Sequence, residues 1–238
     1  MKNALGHVLG SVASLLLATV LLLAALQLVA FNPNFYRSEY RKYDRPAAIG
    51  ISEDDLMATT RALLDYVADK WPDLRVQATI LGERRQVFDD RELQHMQDVK
   101  ALFLQGFRLR TRALALGLAS VFLLWLLTGR KAWAIHARSF IMVTIAALVL
   151  VVVLVALSNL NFTGVWDQFH YIFFSNNLWQ LDPDTEIMIQ MFPEEFFFDA
   201  AVRVMGLFVG LMVVLSGVAW YYLRASRPRN DRRLRPVA

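Results

Sequence analysis

Four uncharged apolar runs constrain this chain more than any other feature: residues 8–31, 113–128, 140–157 and 204–223. A helix needs about 20 residues to cross a hydrocarbon core of about 30 Å. A backbone in lipid must satisfy its own hydrogen bonds, so each run reads as a helix. The second run is short, but the apolar stretch 101–107 precedes it. The first run exceeds the ~7–15 apolar residues of a signal peptide and has no clean small-x-small site before Phe31, so it is expected to stay as an anchor.

Short loops set the orientation. The link between the second and third runs carries Arg130, Lys131 and Arg138 and no acid, and the tail 224–238 carries six arginines against Asp231. Residues 158–199 carry seven acids and no Lys or Arg. Bases mark the cytoplasmic side, so both termini are expected inside. The layout is helix 1 at 1–31, an extracytoplasmic domain at 32–107, helix 2 at 108–128 and a cytoplasmic loop at 129–139. Helix 3 follows at 140–158, then an extracytoplasmic loop at 159–199, helix 4 at 200–223 and a basic cytoplasmic tail at 224–238. The fold class is a mainly α membrane protein: a four-helix transmembrane bundle with a small α+β extracytoplasmic domain and a structured outer loop. Its place is the cytoplasmic (inner) membrane.

Within 32–107, eleven bases and thirteen acids suit a folded domain. The Ser52–Asp55 stretch resembles a helix start, followed by Leu56, Leu63, Leu64 and Val67 at helical spacing. Val76, Ala78 and Ile80 alternate like a strand, Gly82 turns it, and Val87 and Phe88 lie on the returning strand. Asp90 reads as the N-cap of a helix running through His95. The chain has no cysteine, which excludes disulfides, thiolate metal sites and a cysteine nucleophile. No basic patch interleaved with aromatics points to nucleic acid.

Of four histidines, His7 and His136 fall at the basic inner side and read as interfacial or solvated. His95 and His170 fall in the outer segments, each with an aspartate three residues away, Asp98 and Asp167. On a helix these share a face, so either carboxylate is placed to fix a tautomer and raise basicity, as a general base needs.

The run Glu92-Leu-Gln-His95-Met-Gln-Asp98-Val-Lys100 resembles one hallmark of the bacterial lipoprotein intramolecular transacylase (Lit) family. The second hallmark resembles Phe169-His170-Tyr-Ile-Phe-Phe174-Ser-Asn-Asn-Leu-Trp179-Gln-Leu-Asp182-Pro183, continuing into Met191-Phe-Pro193-Glu194-Glu-Phe196-Phe197. The similarity covers nearly the whole chain in layout. It implies a membrane acyltransferase that moves an acyl chain from the glycerol of a diacylated lipoprotein to its N-terminal cysteine amine, leaving a lyso-lipoprotein. The family's two essential histidines match His95 and His170. The partners implied are the diacylated lipoprotein and membrane lipids; no cofactor, metal or nucleic acid is expected, and a monomer is one expectation that the sequence itself does not reveal.

Around that pair, Asp98, Asp167, Glu92, Asp182 and Glu194 are supporting candidates. Arg108, Arg110 and Arg112 open helix 2 on the outer side and face either headgroups and a developing oxyanion or simple snorkelling. Arg203 is a headgroup candidate whose plain alternative is an i,i+4 ion pair with Asp199. Trp179 is a substrate-binding candidate; with Trp166, Phe196 and Phe197 it otherwise belongs to an interfacial belt or apolar packing. Competing readings are another outer-face lipid-modifying enzyme, a hydrolase with metal on His95, His170, Asp98 and Asp182, a bis-histidine haem protein, and a non-enzymatic scaffold.

Overall fold

The computed structural model describes residues 2–226. The tail beyond, with five of its six arginines, lies outside the described residues.

Four long helices form the bundle: α1 (Lys2–Ala30), α5 (Asp90–Thr128), α6 (Lys131–Leu160) and α9 (Glu194–Ala225). All four are long and apolar enough to cross a membrane, and the chain is a multi-pass membrane protein. The helix α1 packs against α5, α6 and α9, and α6 packs against α9. Ala25, Phe140, Val204, Phe208 and Met212 form its buried core.

The helices outrun the apolar runs that announced them. Only Gly129 and Arg130 separate α5 from α6, where an eleven-residue loop was expected; Lys131 onward is already helical. Gly129 has φ +58 and accepts the turn without strain. At the other end, α5 is one unbroken helix of 39 residues carrying both His95 and the second apolar run.

Between α1 and α5 lie α2 (Pro33–Lys42), α3 (Arg45–Ile49), α4 (Glu53–Val67) and the hairpin β1 (Gln77–Ile80) and β2 (Glu83–Gln86). The Ser52 hydroxyl caps α4 by accepting from the Asp55 amide at 3.0 Å. The strands pair antiparallel with Ile80 opposite Glu83, and Ala78 and Ile80 point inward as their alternation predicts. Leu81 and Gly82 turn the hairpin with φ of +53 and +86. Leu81 lies so close to Gly50 that a Cβ there would meet its side chain at 2.3 Å, which reserves that position for glycine.

Between α6 and α9 the chain forms α7 (Phe162–Phe173), α8 (Ile187–Met191) and irregular loops. Asn161 ends α6 and starts α7, its side chain accepting from the Gly164 amide at 2.9 Å. Both inter-helix segments share one core: Tyr40, Leu56, Met57, Ile80 and Phe88 pack with Met96 of α5 and Met191 of α8. The first turns of α5 therefore belong to this domain, and its apolar lower part to the bundle.

Candidate active site

Asp89, not Asp90, caps α5. Its carboxylate accepts from the Glu92 amide at 2.8 Å, and Glu92 accepts in return from the Asp89 amide at 2.6 Å. The second oxygen of Glu92 accepts from the Met188 amide at 2.6 Å, which fastens α8 to α5. Glu92 is fully buried, and that burial pushes its pKa up to about 7 against the pull of the two amides. Arg91 next to it donates to the carbonyls of Asn177 at 3.0 Å and Gln180 at 2.6 Å. Two turns on, Asp98 accepts from the Asn176 side chain at 2.8 Å. The first and third turns of α5 thus hold the segment that follows α7.

That fastening brings His170, in the last turn of α7, to His95, in the second turn of α5. Their ring centroids lie 6.3 Å apart at 38°. Both are buried, at 8% and 5% exposure. Burial pushes the His95 pKa down to about 4, with His170 adding to the shift and Asp98 opposing it. Burial also lowers His170, opposed by the Trp166 carbonyl and Asp167. Two neutral imidazoles therefore face each other at neutral pH.

The two rings are held differently. The Nδ1 of His170 lies 2.8 Å from the carbonyl oxygen of Trp166, one turn back on α7. The Nδ1 of His95 is buried with no hydrogen-bond partner. Neither aspartate bonds its histidine: Asp98 is engaged by Asn176, and the place expected for Asp167 is taken by a main-chain carbonyl. Sequence spacing compared side chains with side chains and so missed the Trp166 carbonyl.

The pair sits at one end of an apolar cavity of about 620 Å³, bounded below by Leu26 of α1, Leu154 of α6 and Met205 of α9. Trp166, Trp179, Phe196 and Phe197 all line it, so these aromatics form the cavity wall. Trp179 lies flat against His170, centroids 4.5 Å apart at 20°, while Trp166 meets the same ring edge-on at 4.5 Å and 83°.

The remaining candidates lie elsewhere. Arg108 and Arg112 are exposed and do not line the cavity, because they occupy the side of α5 turned away from α1. Arg110 donates to the Gln27 side chain of α1. Arg203 does not pair with Asp199. It donates to the buried Glu39 of α2 at 2.9 Å and stacks over Phe35 at 4.6 Å, while Asp199 accepts from Lys42 and from the Tyr43 hydroxyl at 2.7 Å. The reason is α2, whose acids and bases face the start of α9. Glu194 accepts from the Thr163 hydroxyl at 2.8 Å and ties α9 to α7. Asp182 is exposed; it accepts from the Asp184 amide at 3.0 Å and donates its own amide to Glu186, shaping the loop before α8. Among the described residues, no three His, Asp or Glu side chains are grouped to hold a metal ion.

This geometry can be compared with known proteins. The family model described as lipoprotein intramolecular transacylase Lit matches residues 11–197. An uncharacterized protein of Aquifex aeolicus (strain VF5) is 26% identical over 198 residues, covering 80% of this chain and 84% of that one. The in meso structure of the membrane integral lipoprotein intramolecular transacylase Lit from Bacillus cereus superposes with a TM-score of 0.74 at 19% identity, covering 94% of this chain and 99% of that one. A second structure of that enzyme, with a histidine-to-alanine mutation, gives a TM-score of 0.73 over 95% and 97%. At this identity the superposition speaks for the fold, and the match to the family model speaks for kinship. The chain belongs to the lipoprotein intramolecular transacylase (Lit) family of membrane acyltransferases.

Proposed function

We propose that His95 and His170 move an acyl chain from the glycerol of a diacylated bacterial lipoprotein to the α-amino group of its N-terminal cysteine, giving the lyso form. The observation that carries this is the meeting of two imidazoles, from segments far apart in the chain, at the end of an apolar cavity. Such a cavity suits hydrocarbon tails, with the ester beside the only polar groups the reaction needs.

The hydrogen bonds support a division of labour. A backbone carbonyl only accepts, so Nδ1 of His170 carries the proton and Nε2 keeps a free lone pair. An unpartnered N–H in an apolar interior costs more than an unpartnered lone pair, so His95 carries its proton on Nε2. His170 is then the base and His95 the acid.

The neutral amine attacks the ester carbonyl as His170 Nε2 removes a proton from its nitrogen. His95 Nε2–H donates to the developing oxyanion and then to the glycerol oxygen as it leaves. One C–N bond forms, one C–O bond breaks, and a proton passing from His170 to His95 restores both rings. Amine and ester belong to one bound molecule, so positioning supplies much of the rate. The bias of basic residues toward the opposite side of the bundle supports an inner-membrane protein whose site faces away from the cytoplasm.

The test is mass spectrometry of a lipoprotein's N-terminal peptide after incubation with the purified protein in lipid nanodiscs. An acyl chain moved from oxygen to nitrogen at unchanged total mass is the expected result. Wild-type protein that leaves both chains on the glycerol refutes the reading.

A further inference from the structure

An imidazole that takes a proton beside an apolar cavity needs something to stabilise its charge, since an isolated charge in apolar surroundings is costly. The usual device is a carboxylate on the far ring nitrogen. Here that nitrogen meets the neutral carbonyl of Trp166 at 2.8 Å. The titratable groups acting on His170 are His95 from α5, itself held neutral, and Asp167 from its own helix, which makes no hydrogen bond to it. The Glu194 carboxylate of α9 is engaged at the other end of α7, by Thr163.

What does cover His170 is an aromatic face. Trp179 lies nearly parallel to the imidazole at 4.5 Å, the geometry in which a π face attracts a cation. Trp166 and Phe169 meet it edge-on at 83° and 89°, and Phe174 lies farther off than Trp179, at 5.6 Å and tilted by 33°. The indole Nε1 is buried and makes no hydrogen bond, so no such bond fixes this orientation. The loop around it is held instead. Arg91 grips the carbonyls of Asn177 and Gln180 on either side, and Asn176 is tied to Asp98. These bonds run to α5, the helix that carries His95, so one scaffold sets both the second histidine and the indole.

We propose that Trp179 is a positioning residue for the transfer: its indole face aligns the His170 ring and stabilises the imidazolium formed as the amine loses its proton, in the role that a carboxylate fills in a catalytic triad. This rests on His170 being the base.

The test is a series at one position in the full chain in nanodiscs: Trp179→Tyr, Trp179→Phe and Trp179→Leu, with a diacylated lipopeptide as substrate. A desolvated cation–π contact with Trp predicts a graded loss. Trp179→Leu falls about 30-fold in kcat, about 2 kcal/mol, with Tyr and Phe between it and the wild type. The acid limb of the kcat/KM profile moves to lower pH, because a less stabilised imidazolium protonates less readily. Equal loss in all three variants, or no movement of the limb, overturns the proposal in favour of packing alone. NMR titration of the histidines, with the His170 signal identified by its absence in His170→Ala, reads the same effect without turnover. His170 protonates at lower pH in Trp179→Phe than in wild type, and an unmoved titration overturns the proposal even if activity falls. Failure of the transacylase reading looks different: wild type gives no product, whatever Trp179 does to the ring.

Discussion

Histidines sit at both ends of the bundle, and they are built in opposite ways. At the end nearer Arg130, His136 of α6 lies half-buried with Nδ1 3.3 Å from the Ser14 hydroxyl of α1. The helices meet there so closely that a Cβ on Gly10 would come within 3.0 Å of Ile135 and Ser139. That histidine is partnered and packed. At the other end, His95 has an unpartnered ring nitrogen and stands with His170 against about 620 Å³ of empty space. Burial alone marks neither as functional. The role proposed for His95 rests instead on an unsatisfied ring beside a cavity, because interiors otherwise satisfy their polar groups and fill their gaps.

The contrast breaks if the wrong histidine matters. Replacing His170 or His95 with Ala is expected to reduce N-acylated product by about 10²–10⁴-fold. His136→Gln should leave the rate within about twofold. A purified assay with product read by mass spectrometry decides it.

A stability test sharpens the same comparison. Glu92→Ala strips the acceptor from the Met188 and Asp89 amides and frees α8 from α5. The expected loss is about 3 kcal/mol, from two amides left unpaired. It should appear as a lowered unfolding temperature in detergent, with activity falling alongside as the loop bearing Trp179 loosens.

The next prediction concerns pH. An unfolded histidine titrates near 6.5, whereas folded His95 holds off protonation to about 4. As pH falls from 6.5 toward 4 the unfolded chain gains a proton that the folded chain refuses, so stability drops across that window. Glu92 works the other way. Its folded value of about 7 lies above the unfolded 4.5, so its contribution is full below 4.5 and is lost as pH rises to 7. His95→Asn should therefore unfold at a higher temperature relative to wild type at pH 4.5 than at pH 7. An unchanged difference between the two pH values would show that the ring is not desolvated.

The smallest effect belongs to the packed end. Ser14→Ala removes a hydroxyl bonded to the Gly10 carbonyl at 2.7 Å and paired with His136. About 1 kcal/mol of stability is expected to go, with activity unaltered. Thermal unfolding beside the acylation assay checks both.

The two regions also differ in how much the amino-acid order reveals. The bundle is legible because twenty apolar residues in a row have few alternatives in lipid, and the Ser52 cap and the Ala78–Ile80 alternation announce their elements locally. The histidines are legible as residues but not as an arrangement. Their convergence depends on Glu92 reaching Met188 and Arg91 reaching Asn177 and Gln180, bonds between distant segments that no local period encodes. The two aspartates at helical spacing were the visible partners, yet one was claimed by Asn176 and the other displaced by the helix's own carbonyl. Arg203 misled for the same reason, since its local partner lost to Glu39 across the interface.

The unbroken course of α5 sets a height. Thirteen residues separate His95 from Arg108, the first of the three arginines above the second apolar run, and at 1.5 Å per residue that is about 20 Å along the helix. On the proposed reading, an ester that meets the histidines stands that far along the helix from these arginines. The cavity wall along that stretch is apolar, running from Met96 and Val99 to Phe103 on α5 and facing Leu154 and Trp166.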